Sequence, residues 1–152
     1  MRFFSLLFFI FSFTLKSFSQ CDECIIPIIS KGEFSDGKCR YLIDSVTAQK
    51  IYTSPEFEAE FPGGISALEK FIKNNVVYPN NKAESFYTKY FIQVSINSEG
   101  KIKYIKIIRG SGIDKYDQII INLISIMPNW LPAKCNGIFV SSILIIPIKL
   151  NY

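Results

Sequence analysis

The sequence predicts an α+β fold: a small antiparallel sheet of three strands with two helices on one face, in the order helix, strand, strand, helix, strand, behind a hairpin-like N-terminal extension. Three observations carry this expectation. Ile65, Leu68, Phe71 and Ile72 recur at the three- and four-residue intervals of an amphipathic helix. Tyr90, Ile92, Val94 and Ile96 alternate with polar residues and run into Asn97-Ser98-Glu99-Gly100, the signature of a strand and its hairpin turn. A last segment, residues 138–150, is apolar at nearly every position.

The chain opens with Arg2 and an apolar run over residues 3–13, about the length of a signal-peptide core and short of the ~20 residues that cross a bilayer. Ser17 and Ser19 stand at the minus-three and minus-one positions of a cut before Gln20, so residues 1–19 read as a cleaved signal peptide and the compartment as the periplasm. A retained inner-membrane anchor and a lipid anchor at Cys21 stay open as alternatives, although Gln20 is bulky for the second. The remaining length suits one domain.

Residues 20–54 form a cysteine-containing extension. Ile25-Ile26-Pro27-Ile28-Ile29 and Arg40-Tyr41-Leu42-Ile43 flank a turn-rich stretch with Gly32 and Asp36-Gly37, which reads as a hairpin. Cys21, Cys24, Cys39 and Cys135 are an even count in an exported chain, where disulfides are favoured. Their pairing is open, and a Cys24 to Cys39 bridge between neighbouring strands is sterically feasible.

Residues 55–152 form the main domain. Pro62-Gly63-Gly64 turns an extended segment into the first helix, which Tyr78-Pro79 stops. After the hairpin, Gly110-Ser111-Gly112 leads to a second helix over residues 113–127, with Asp114 near its positive end and Pro128 at its close. Trp130, Pro132 and Asn136-Gly137 connect it to the last strand. Turn chemistry and aromatic burial account for Phe61, Pro62, Gly63, Gly64, Gly100, Pro128, Trp130, Pro132 and Gly137 as structural residues.

The succession Phe61-Pro62-Gly63-Gly64, Tyr78-Pro79, Glu99-Gly100, then Met127-Pro128-Asn129-Trp130-Leu131-Pro132-Ala133, Asn136-Gly137 and Pro147 resembles the C-terminal domain family of TonB-type energy transducers, in its Phe-Pro-Gly-Gly version. The resemblance covers residues 55–152. It implies a non-catalytic protein that captures an extended N-terminal peptide of an outer-membrane TonB-dependent transporter by adding it to a sheet edge, in energy-coupled transmembrane transport. The implied edge is the last strand: Ile138, Phe139, Val140, Ser141 and Ser142, continuing through Ile143, Leu144, Ile145 and Ile146. Asn75, Val77, Tyr78 and Pro79 would flank the guest, and Pro147, lacking an N–H, fits an edge.

The chain also departs from that family. Its seven prolines are scattered, and the extension of about 35 residues reaches at most ~120 Å, which argues against force transmission. Thr88 and Lys89 stand where relatives carry a glycine, and the second helix is apolar nearly all round. That implies a second buried side, either under residues 25–43 folded back as a layer or in a homodimer. The alternative function is accordingly a structural or regulatory subunit with a self-covered or dimerised edge.

The absence of histidine excludes histidine triads and the usual zinc hydrolase sites. No metal, cofactor or small-molecule substrate is expected: no phosphate or dinucleotide motif occurs, and Cys39 and Cys135 fit no zinc ribbon. Cys21 and Cys24 have redox spacing, but Asp22 and Glu23 between them disfavour a thiolate. With Arg2 and Lys16 of the 17 basic residues in the leader, 15 face 13 acidic ones, too even a balance for nucleic acid. Glu56, Glu58 and Glu60 project to one side of an extended segment, as a solvated face.

Overall fold

The alternation at residues 90–96 builds the strand around which the sheet is organised. The computed structural model describes residues 32–77 and 87–151. In chain order its elements are β1 (Phe34–Asp36), β2 (Cys39–Ile43), β3 (Lys50–Ser54), α1 (Gly64–Asn75) and β4 (Tyr87–Ile96), followed by β5 (Ile102–Arg109), α2 (Asp114–Ser125), β6 (Ala133–Cys135), β7 (Ile138–Val140) and β8 (Ser142–Asn151).

Tyr90, Ile92, Val94 and Ile96 of β4 are wholly buried, and β8 lies antiparallel beside them in unbroken register from Ile96↔Ser142 to Tyr87↔Asn151. Ile146, Ile148 and Leu150 therefore share the buried face with β4. Both helices deliver their apolar stripes to this cluster, α1 through Leu68 and α2 through Ile120, Leu123 and Ile124. Each such side chain contributes roughly 1.5–3 kcal/mol by leaving water. The β4–β5 turn forms as expected: the Asn97 side chain accepts from the Glu99 and Lys101 amides at 3.1 and 2.8 Å, and Gly100 takes a φ of 82°.

The sheet is larger than the three antiparallel strands expected. Six strands run in the order β1-β2-β3-β8-β4-β5, and β6 and β7 make a separate two-stranded sheet. The main sheet is mixed, because β3 meets β8 in parallel at Tyr52↔Ser142. The described part of the extension, residues 32–54, is thus spliced into the sheet: β1, β2 and β3 form an antiparallel meander whose last strand abuts the start of β8. The physical cause is the switch at Ser141. Asn136 and Gly137, at φ 51° and 79°, close a tight hairpin that commits residues 138–140 to β6. The chain then crosses to the main sheet, where the Ser141 carbonyl accepts from the Tyr52 amide at 2.8 Å.

Three further points are decided, two of them left open by the sequence. Cys39 pairs with Cys135, over a sequence separation of 96, and so not with Cys24. That disulfide joins β2 to β6 within a small buried cluster with Tyr52. The described part of the extension, residues 32–54, adds three strands to one side of the sheet, where a covering layer was one alternative. And α2 buries a single stripe, since Gln118, Asn122 and Ser125 on its other side are solvated. The leader, Cys21, Cys24 and residues 25–29 lie outside the described residues. Among the described residues no helix is long and apolar enough to cross a membrane.

Candidate functional site

The sheet offers three borders, and their chemistry differs. β1 has only three residues, too short to template a partner. β5 is guarded by the solvated cations Lys103, Lys106 and Arg109, which disfavour strand addition. The third border is the side of β8 that faces away from β4. There β3 occupies only the start, through the Tyr52↔Ser142 pair, before the chain turns off at Pro55.

Which backbone groups line this border follows from the alternation of a strand. The Ser141 carbonyl points to β3, so residues 143, 145, 147 and 149 turn their N–H and C=O groups the same way, while 144, 146, 148 and 150 bond to β4. Pro147 occupies one of these outward positions, where its missing N–H costs no ladder bond with β4. From Ile145 onward, the outward donors are the amides of Ile145 and Lys149, and the outward acceptors are the carbonyls of Ile145, Pro147 and Lys149. Among the described residues no strand is registered against them.

A groove runs beside this border. Its first part, a cavity of about 240 Å³, lies between Phe61, Ile65, Leu68 and Trp130 on one side and Leu144 to Pro147 on the other. Its second part, about 620 Å³, continues along Ile72 and Lys73 of α1 to Ile148, Lys149 and Leu150. Ile65 opens α1 yet is 75% exposed, because its side chain overhangs this groove. Gly63 and Gly64, at φ 84° and 76°, bring the chain around Phe61 so that α1 starts there. Phe61 and Trp130 stack edge to face at 5.5 Å and close the inner wall.

The extended segment before α1 is pinned to the β6 side by paired backbone bonds, Phe57 with Lys134 and Glu60 with Leu131, at 2.8–3.1 Å. This fixes Glu58 and Glu60 at the start of the border. Glu58 lines a shallow hollow with Thr53, Gln93 and residues 143–145, and Glu60 lines the first part of the groove. Burial of its carboxylate end pushes Glu58 above the usual glutamate range, although the residue as a whole is exposed. A Cβ at Gly64 would stand 3.1 Å from Glu60 Oε1, which places that carboxylate over the start of α1, where the helix dipole favours an acid. Glu56, the third of the alternating acids, pairs instead with Lys38 at 3.7 Å.

The residues expected at the site are only partly brought together. Ser142, Ile143, Leu144, Ile145 and Ile146 lie on β8, with Ser142 already paired to β3 and Ile145 53% exposed. Ile138, Phe139 and Val140 belong to β7, in the other sheet, and Ser141 is the link between the two. Asn75 ends α1, its side-chain amide donating to the Phe71 carbonyl at 2.8 Å, and Val77 is exposed beyond it. Tyr78 and Pro79 lie outside the described residues. Sequence reasoning missed Ile148, Lys149 and Leu150, and the groove walls Ile65, Leu68 and Ile72. Both carried a signal, since strand alternation continues to Leu150 and the helix stripe was legible; what was missing was that the two lie side by side.

No family pattern, characterised protein or solved structure matches the chain.

Proposed function

We propose that this protein is a periplasmic, non-catalytic peptide-binding domain that takes up an extended segment of another protein as a seventh strand, along the outward side of β8. The partner class the sequence motifs favour is an outer-membrane transporter of the TonB-dependent kind, offering its N-terminal peptide. The observation that carries the reading is the row of outward backbone groups from Ile145 to Lys149, unpaired among the described residues and flanked by an apolar groove. Main-chain bonds would supply affinity and the groove would select alternate side chains.

One feature favours the alternative of a self-covered edge: β3 already occupies the start of this border at Ser141 and Ser142. A guest must therefore begin near Ile143, five residues past Ile138, where the motifs begin the edge.

The test uses Ile145→Pro. The Ile145 amide points away from β4, so the substitution removes a guest-facing donor and leaves the β4–β8 ladder intact, as Pro147 already does. Binding of transporter N-terminal peptides to the full chain should weaken by about tenfold or more while the unfolding midpoint changes little. Unaltered binding by this variant, or no binding by the parent protein, overturns the proposal.

A further inference from the structure

The border of β8 is electrically polarised along its length. At its start stand Glu58 and Glu60, beside residues 143–147. At its far end stand Lys73, Lys89 and Lys149, beside residues 146–150, with Glu69 offsetting one of the three. Among the described residues none of Glu58, Glu60, Lys73 and Lys149 makes an ion pair, and Lys89 lies over the Phe91 ring at 4.8 Å. Their charges are therefore not internally compensated by close contacts.

The two ends are read separately. Five strand residues span about 16 Å, beyond the ~8 Å over which charges act through physiological salt. A guest strand lying on β8 places one terminus near each cluster, and the groove between them is lined by apolar side chains at every second position.

We infer that the guest is a short β-strand of opposite end charges: a cation at the end beside Glu58 and Glu60, an anion at the end beside Lys73, Lys89 and Lys149, and apolar residues at the alternate positions that enter the groove. This rests on the strand-addition reading and sharpens it, because a strand with two acidic or two basic ends meets a like charge at one cluster. Either chain direction satisfies the rule, so end-charge pairing selects composition while the backbone ladder selects direction.

The experiment titrates the full chain by calorimetry with four eight-residue peptides. They share an alternating Thr-Val centre and differ only at the ends: Lys and Glu, Glu and Glu, Lys and Lys, or Thr and Thr. The Lys and Glu peptide should bind about fivefold tighter than either like-ended peptide at low salt, with the margin shrinking in 0.5 M salt. In the double variant Glu58→Lys with Glu60→Lys the ranking should invert, the Glu and Glu peptide becoming tightest while the Thr and Thr peptide keeps its affinity. That neutral peptide reports whether the edge itself is intact. Equal affinity of all four for the parent chain, or an unchanged ranking in the variant, overturns the charge rule and leaves strand addition standing. Failure of all four to bind overturns both.

Discussion

The amide of Trp130 donates to the carbonyl of Gly100 at 2.8 Å, and a Cβ placed on Gly100 would lie 1.9 Å from the Trp130 carbonyl oxygen. The β4–β5 turn is thereby locked to the connection after α2 by a backbone contact that only glycine permits. Gly100 also sits at a φ of 82°, which costs any other residue strain. Gly100→Ala should therefore destabilise the fold by about 3 kcal/mol or more, since the neighbour is main chain and cannot swing aside. Urea unfolding followed by Trp130 fluorescence measures this, and a loss under half a kilocalorie would mean the turn is free of Trp130.

The Cys39–Cys135 bridge closes a long loop and ties the extension to β6. Replacing both cysteines with serine should lower stability by about 2–4 kcal/mol. The loss should appear first in the extension, because Cys39, Cys135 and Tyr52 form a cluster apart from the main core. Hydrogen exchange would show β2 and β3 amides losing protection before those of β4. Uniform loss across both sheets would contradict that order.

Ile65 and Leu68 are neighbours on α1 with opposite exposure, 75% against 8%. Leu68→Ala should cost about 2–4 kcal/mol through the cavity it leaves. Ile65→Ser should change stability by under about 0.5 kcal/mol, yet weaken peptide binding severalfold, because its side chain serves the groove. Parallel unfolding and binding curves for the two variants separate the roles.

Glu58 has a folded pKa raised above its ordinary 4.5 by burial. A raised carboxyl binds more protons in the folded state, so its ionisation lowers stability as pH rises through the folded pKa, and the penalty is absent below 4.5. Glu58→Gln should accordingly be slightly more stable than the parent at neutral pH and equal to it near pH 4. Unfolding midpoints at the two pH values test the sign.

Much of the secondary structure was legible because its causes are local. Side-chain period distinguishes α1 from β4, and Asn97, Gly100 and Asn136-Gly137 fix turns through their own hydrogen bonds and φ values. The groove's apolar residues were visible as stripes for the same reason. The start of the last strand was misjudged because residues 138–150 look alike by hydropathy, while the break at Ser141 leaves no mark in composition.

By itself, then, the sequence determined where the chain bends, which faces are apolar, and that its cysteines favour a bridge. Only the tertiary structure decided that β3 joins β8, that Cys39 takes Cys135, and that acids and lysines stand at opposite ends of one border. The reason is that strand neighbours bond through backbone groups every residue possesses, so the choice of partner is made by burial and chain path across long sequence separations, and side-chain pattern alone does not encode it.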